Sequence, residues 1–396
     1  MPPSSTAPFV PGLWHIAHAG AITSAGTSAW QSAASWVGLQ KRFQKKVHPG
    51  IGPHAITTAP CPEITSDQVG VARLARLLGA ALADLASSVP HATNDTGRAA
   101  PARMVLALPD RLSEADSADL WQQALAEFGR WAGPAASAML GGVPCRFVRG
   151  GHTAGFAALQ ALGPCDAAAG PALLMAVDSL LDTATLQAAY ACGTLLTERN
   201  AEGCIPSEAA AALWLQPAPD TRDATGRGLV LHPPALAANA TAHWRPPQEP
   251  EPDALQHALR SALERARWQG DNVGCTLSDF DGSTWRAMAQ IPARARARAA
   301  QGGDPIDWEP AAVIGQIGAA TGPVHWALAA QRLRHDARPP NSILSWALDE
   351  GTPAAAVALE RTIGTAAAAQ AQPGAQGRGT GATAPTYSAR FLQNKI

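Results

Sequence analysis

Two similar glycine-rich turns, one in each half of the chain, constrain its fold more than any other feature. The first lies in RFVRGGHTAGFAALQAL, where His152 follows Gly150 and Gly151, and the second lies in AAVIGQIGAATGPVHWALAAQRL. A short apolar run, a tight turn and a helical pattern together are typical of a βα unit in a parallel sheet. Two copies predict a duplicated α/β fold. We expect His152 to be the first residue of its helix, at a strand-to-helix elbow of the kind that holds a nucleophile in many α/β enzymes.

Predicted strands and helices also alternate along the rest of the chain. A helix is predicted from Ser28 through Val37, another with Ser66 or Asp67 as its N-cap, and a third that ends at Gly129. Short apolar runs predict the strands LWHIAHAGAI, ARMVLALP, PCRFVRGG, ALLMAVDS and EAAAALWLQP in the first half. The second half repeats a strand and helix in NVGCTLSDFDG and STWRAMAQ, and SILSWALDEGTPAAAVALER predicts two strands around Gly351.

The domain organisation follows from this duplication. Residues 1–12 are expected to be a flexible N-terminal segment, 13–235 the first half and 254–363 the second. Between the halves, 236–253 form a connection rich in proline and polar residues. The tail 364–396 has no periodic apolar face over most of its length and is expected to be disordered.

Composition excludes several classes of partner. Among 396 residues, 30 Lys and Arg balance 31 Asp and Glu, so a net charge of −1 gives no reason to expect a nucleic acid or an anionic membrane surface. The six cysteines show neither metal-site nor disulfide-framework spacing, which favours reduced thiols in a cytoplasmic protein. Cys145, Cys192, Cys204 and Cys275 are expected to be small buried hydrophobes. We predict no membrane span, no metal, and no nucleotide or other cofactor site, because the glycine turns lack the phosphate-binding patterns.

One longer segment is similar to a known family. The segment VDSLLDTATLQAAYACGTLLTERNAEGCIPSEAAAALWLQ resembles the corresponding segment of β-ketoacyl synthases, and the likeness extends over about residues 13–362. The resemblance implies a thiolase-like, five-layered αβαβα fold of two similar halves. It also implies a homodimer, with the site where the two halves meet.

The resemblance assigns three site positions, and none keeps the family's residue. His152 stands where these enzymes have the nucleophilic cysteine, Asp281 takes the place of the first catalytic histidine, and Ala319 that of the second. A condensing enzyme needs a thiolate to attack the acyl thioester, and alanine can neither move a proton nor hydrogen-bond an oxyanion. The condensation machinery is therefore expected to be missing.

Two hypotheses remain open from the sequence. The first is a non-catalytic accessory or adaptor protein that binds a protein partner, with His152 and Asp281 as an ion pair filling the former pocket. SDFDGSTWRA and IGAATG are also similar to thiolase-like proteins encoded with type VI secretion effectors, so the partner could be a secreted effector. The second is an acyltransferase or hydrolase that binds an acyl thioester and uses a His152–Asp281 dyad. A pocket plugged by Phe156 or Trp285 would favour the first, and an open apolar tunnel the second.

Overall fold

The computed structural model describes residues 9–48, 50–89, 100–165, 170–219, 228–238, 253–268, 273–298, 305–349 and 353–361. The predicted turn at Gly351, the tail 364–396 and most of the predicted connection 236–253 lie outside these ranges. No helix in the described part combines the length and the apolar composition that a bilayer crossing needs.

Thirteen strands and eleven α-helices are described, together with a 3-10 turn at Gly318–Ala320. The strands are β1 Phe9–Thr23, β2 Gln44–Lys46, β3 Ile56–Thr58, β4 Arg103–Pro109, β5 Cys145–Gly150, β6 Ala172–Ser179, β7 Glu208–Pro219, β8 Leu229–Leu231, β9 Ala235–Ala237, β10 Cys275–Ser278, β11 Ile306–Trp308, β12 Ser342–Leu348 and β13 Ala354–Arg361. The helices are α1 Ala29–Val37, α2 Pro62–Thr65, α3 Gly70–Ser88, α4 Glu114–Ala132, α5 Pro134–Gly141, α6 Ala154–Leu162, α7 Thr183–Ala191, α8 Asp253–Ala266, α9 Thr284–Arg298, α10 Ala311–Ile314 and α11 Thr321–His335.

Strand pairing shows the duplication directly. The first half has the order β5-β4-β6-β7-β1, and the second repeats it as β11-β10-β12-β13-β8. In each half the first three strands are parallel and the last two pair antiparallel. Antiparallel pairing of β1 with β8 joins the two halves. Strand β8 lies inside 13–235, the range predicted for the first half, but it pairs with β13 as the last strand of the second. The predicted duplicated α/β architecture is confirmed.

The buried side chains divide into three large cores that define five layers. Alternate residues of a strand face opposite sides of a sheet, so Val105 and Ala107 of β4 face the central core while Leu106 and Leu108 face an outer one. Helices α6 and α11 fill the central core between the two halves of the continuous sheet. Helices α3 and α4 cover the outer face of the first half of the sheet, and α8 and α9 cover that of the second half. This is the αβαβα arrangement expected from the sequence.

Several predicted boundaries were wrong. The helix predicted to begin after Ser66 or Asp67 begins at Gly70, because 62–65 form the separate short helix α2. Helix α4 continues past Gly129 to Ala132 before the chain turns at Gly133, where φ is +91°. The sequence predicts a strand in the apolar run AAVI, whereas this run is the helical turn α10 and the strand is β11, just upstream. An apolar run of four residues does not distinguish a buried helical turn from a strand.

The predicted helix at Ser28 is confirmed. The Ser28 side chain accepts a hydrogen bond from the backbone of Gln31, so it caps the first turn of α1. Helix α4 begins with a capping box, in which Ser113 and Asp116 each accept a hydrogen bond from the other's backbone N–H. These local signals fix where the two helices start.

The amino-terminal ends of α6 and α11 meet at the centre of the molecule. A Cβ atom on Gly155 would lie 2.2 Å from Cδ of Pro323 and 3.4 Å from Cα of Gly322. Phe156 packs edge-on against Trp326, with ring centroids 5.1 Å apart, and both side chains are fully buried. The close contact of the two halves therefore depends on the absence of a side chain at position 155.

We predict that Gly155→Ala destabilises the protein by about 2 kcal/mol or more, because the new methyl group overlaps the Pro323 ring inside a closely packed core. The free energy of unfolding measured by urea denaturation tests this. Gly141→Ala in α5 is the matched control, since its Cβ would meet only Leu125 Cδ1 at 3.6 Å. Equal stability of the two variants would contradict the packing argument.

Candidate functional site

The first elbow connects β5 with α6 and is held by a carboxylate of the other half. His152 lies in the turn, and the helix begins two residues later at Ala154, so the expectation that His152 starts the helix was wrong. The Thr153 hydroxyl donates to Asp349 Oδ2 over 2.6 Å, and the backbone N–H of His152 donates to the same carboxylate. A Cβ on Gly151 would lie 2.3 Å from Asp349 Oδ1, so this carboxylate occupies the space of a side chain.

The second elbow is held in the same way by the first half. The backbone N–H of Ala319 donates to Asp178 Oδ2 over 2.8 Å. Gly318 has φ +50°, and a Cβ there would lie 2.1 Å from the same oxygen. Ala319 itself is fully buried and offers no side-chain donor or acceptor. Each half therefore supplies an aspartate, at or just after the end of its central strand, that fixes the other half's elbow.

The imidazole of His152 is neutral and hydrogen-bonded across the two halves. Its Nδ1 lies 3.1 Å from the Thr321 hydroxyl, whose own proton is donated to the Gly318 carbonyl over 2.7 Å. Thr321 therefore accepts, and Nδ1 of His152 carries the proton. Burial lowers the pKa of His152 well below its ordinary value, and the nearby positive charge of Arg286 and the buried His325 act in the same direction.

An ion pair of Asp279 and Arg286 lies beside this imidazole. Asp279 Oδ2 is 4.0 Å from His152 Nδ1 and accepts from the Arg286 guanidinium and from the backbone N–H of Leu348 at 2.9 Å. Its Oδ1 accepts from Gln290 Nε2 at 2.9 Å. Burial raises the pKa of Asp279, and the guanidinium opposes this shift. The pair is buried, and its hydrogen bonds stabilise both charges.

Asp281 does not form the predicted dyad with His152. Its Oδ1 accepts from the backbone N–H and the hydroxyl of Ser283, at 2.9 and 2.6 Å, and its Oδ2 lies 3.7 Å from Arg286 Nε. Among the described residues, no ion pair within 4.0 Å joins Asp281 to His152. The loop turns at Gly282, where φ is +86°, and directs the Asp281 carboxylate to its own turn.

The elbow position holds His152 rather than a cysteine, and none of the six cysteines, all of them in the described part of the chain, forms a disulfide. Burial raises the pKa of Cys145 to about 12 and that of Cys275 still further, so both remain protonated. Cys275 is buried as predicted, whereas Cys145 and Cys204 are only partly buried. Cys61 is buried against Glu208, and burial raises its pKa well above the ordinary value. Cys192 is exposed at the end of α7, so its predicted burial was wrong.

Bulky side chains fill the space behind the elbow. Phe156 and Trp326 pack on the first turn of α11, where a Cβ on Gly322 would meet their rings at 3.2 and 3.1 Å. Trp285, the other candidate plug, packs instead against the outer core beneath α9, with the Arg286 guanidinium 4.5 Å from its ring centroid. Of the two side chains expected to plug the pocket, only Phe156 lies behind the elbow.

Sequence reasoning missed four polar partners of the elbow: Asp279, Arg286, Thr321 and Asp349. Asp279 lies two residues before Asp281 in the same SDFDG motif, and both were equally available to the motif argument. Asp349 directly follows β12, and Asp178 lies at the end of β6, the corresponding strand of the first half. The repeat in the sequence therefore already indicated that these two aspartates occupy equivalent positions. Among the described residues, no group of three or more His, Cys, Asp or Glu could hold a metal ion.

Solved ketosynthase structures share this fold at low sequence identity. A ketosynthase domain of oxazolomycin biosynthesis from Streptomyces albus superposes with a TM-score of 0.66 and 12% identity, over 93% of this chain and 76% of that one. The ishigamide ketosynthase/chain length factor gives 0.63 and 13%, over 89% and 100%. A ketosynthase in complex with its chain length factor from Xenorhabdus doucetiae gives 0.63 and 13%, over 89% and 98%.

These likenesses establish the fold. The chain has the thiolase-like architecture of ketosynthases and chain length factors. No protein-family model matches the sequence, and no curated protein matches it either.

We predict that the stability of Asp349→Asn relative to wild type increases as pH rises from about 4 to about 6. Burial raises the pKa of Asp349 to about 6, against about 3.9 in an unfolded chain, so the folded protein retains a proton that the unfolded chain releases first as pH rises. Wild-type stability therefore falls between about pH 4 and pH 6 through this group. Because asparagine carries no charge, the stability of the variant relative to wild type should rise by roughly 1 to 3 kcal/mol from pH 4 to pH 7.

Urea denaturation at both pH values measures this difference. Asp110→Asn, at an exposed carboxylate, is the control for removal of an aspartate from the surface. A pH-independent difference between Asp349→Asn and wild type would show that the carboxyl is not the titrating group.

Proposed function

We propose that this protein is a non-condensing member of the ketosynthase architecture that works as an accessory or adaptor by binding another protein. The observation that carries the proposal is that the His152 imidazole is buried, neutral and hydrogen-bonded to Thr321. Where the resemblance expects a thiolate, the chain has a neutral imidazole whose Nδ1 proton is held by Thr321. A condensing reaction through a covalent acyl-enzyme has no nucleophile at this position.

The alternative, an acyl-thioester hydrolase or acyltransferase, is less well supported by the geometry. A general base works best when its pKa is near the operating pH, whereas burial and Arg286 move the pKa of His152 well below its ordinary value. The carboxylate beside it, Asp279, is already bound by Arg286 and Gln290. Asp281 is engaged by Ser283. Most hydrogen bonds of this polar cluster go to other groups of the protein, as in a structural network, although Asp281 Oδ2 and Asp349 Oδ1 are buried without a hydrogen-bond partner.

Support for a protein partner comes from the resemblances. The neighbour from Xenorhabdus doucetiae is a ketosynthase in complex with its chain length factor, and another is a ketosynthase in complex with its acyl-carrier protein. Faces of this fold therefore serve protein binding in those proteins. For this chain we propose a homodimer in the cytoplasm, and a secreted effector as the bound partner, on the likeness of SDFDGSTWRA and IGAATG to thiolase-like proteins of type VI secretion clusters.

We expect wild-type protein to release no thiol from acetyl- or octanoyl-coenzyme A and to liberate no carbon dioxide from malonyl-coenzyme A. Thiol-reactive dye and carbon dioxide assays measure these reactions, and intact mass after incubation reports any acyl adduct. His152→Ala and Asp279→Asn are the matched variants. Turnover by wild type that both variants lose would support the hydrolytic alternative and end the accessory proposal.

We expect partner binding to be independent of the elbow imidazole. Tagged wild type and His152→Ala should recover the same protein from the native host, and the recovered protein should bind with equal affinity when purified. Sedimentation of the chain alone should give twice its mass of 40.8 kDa. Loss of the complex in His152→Ala would place the elbow in the binding surface, contrary to the proposal.

A further inference from the structure

An apolar cavity of about 360 Å³ lies between α3, α4 and α5 and the outer face of strands β1, β6 and β7. Its walls are mostly aliphatic and aromatic. They include Leu82, Leu85, Phe128, Met139, Leu140 and Leu173. A volume of this size falls at the lower end of the range of about 300 to 1,000 Å³ that small-molecule sites occupy.

The cavity is separate from the elbow site. Leu173 of β6 and Trp214 of β7 face the outer core, whereas their neighbours Leu174 and Leu213 face the central core that contains the elbows. The first half of the sheet therefore lies between the cavity and His152. A ligand in the cavity would not contact the site proposed above.

The chemistry of the walls selects an uncharged ligand. Among the described residues that line the cavity there is no aspartate, glutamate, lysine or arginine, and His18 is the one ionisable side chain. An ionised group placed there would lose its hydration with no charged partner. An aliphatic chain fits because its transfer from water into apolar walls is favourable. At about 30 Å³ for each carbon, which is close to the volume of a water molecule, the space holds about ten carbons or slightly more.

One end of the cavity carries free hydrogen-bonding groups. Trp214 and Gln216 lie two residues apart on β7, so both side chains are on the same face of the sheet. Neither the Trp214 indole N–H nor the Gln216 amide bonds to another side chain or backbone group in the described part of the chain. Gln216 is exposed, so the cavity reaches the surface at this end of the strand. A small polar head group of a ligand would meet these groups while its chain lies among the leucines.

We propose that this cavity binds an uncharged, unbranched aliphatic molecule with a hydroxyl or carbonyl head group, oriented with the head at Gln216. The ligand class is that of a medium-chain fatty alcohol or a neutral fatty acyl derivative. The site is independent of the function proposed for the elbow.

Calorimetric titration of the full-length protein with 1-octanol tests the proposal. We expect saturable binding with one site per chain. Octane-1,8-diol should bind at least about tenfold more weakly, because its second hydroxyl would be buried without a partner. Octanoate should also bind more weakly, because no lysine or arginine is found among the described residues that line the walls. These ligand comparisons use the wild-type protein and do not depend on a variant folding.

Two tryptophan variants of α5 locate the site. Ala136 lines the cavity and Ala135, its neighbour, is exposed and does not. Ala136→Trp should lower octanol affinity at least about tenfold by filling the cavity, whereas Ala135→Trp and His152→Ala should bind as wild type does. The proposal is overturned if wild type shows no saturable octanol binding, which is the result expected if a segment of the chain itself fills the cavity. Equal octanol affinity of the Ala135→Trp and Ala136→Trp variants, or stronger binding of octane-1,8-diol than of 1-octanol, would also overturn it.

Discussion

The structure depends on a reciprocal exchange of aspartates between its two halves. Asp178 at the end of β6 accepts the backbone N–H of Ala319, and Asp349 after β12 accepts that of His152. Both carboxylates are buried, which penalises their charged forms. The opposite elbow supplies hydrogen-bond donors to each, and Arg111 of the same half also pairs with Asp178 over 2.8 Å. The glycines that precede the two elbow residues are required because the carboxylate occupies the position of a Cβ atom. The contacts of the two aspartates with the opposite elbows therefore fix the conformation of both turns and the close packing of α6 against α11.

This constraint decides what the site can do. Tight docking of the elbows brings Thr321 to His152 and places Arg286 and Asp279 behind them, in surroundings where His325 also loses its affinity for protons and has a pKa of about 3. Burial favours neutral imidazoles here. The result is a polar network whose hydrogen bonds join the two halves, from His152 to Thr321, from Thr153 to Asp349 and from Ala319 to Asp178.

The sequence predicted the repeated βα units because apolar periodicity and glycine turns are local signals, and it predicted the cap at Ser28 for the same reason. It could not distinguish Asp279 from Asp281, because the two carboxylates differ only in where the loop at Gly282 directs them. Partners such as Thr321 and Asp349 come from the other half of the chain, and only the packing of α6 against α11 brings them to His152. The strand assigned to AAVI was wrong because four apolar residues fit a helical turn equally well.

In the segment that resembles β-ketoacyl synthases, the acidic residues are buried and hydrogen-bonded within the protein. Glu208, in IPSEAAAALWLQ, is completely buried and accepts from Arg73 through two nitrogens, from the hydroxyls of Thr65 and Ser179, and from the backbone N–H of Cys61. Asp178 is bound in a comparable way by Arg111 and Ala319. Removing a partner from such a buried carboxylate costs far more than altering a side chain that only touches a substrate. Likeness to an enzyme in these segments can therefore come from the acidic residues that hold the scaffold, and such a likeness reports the fold alone.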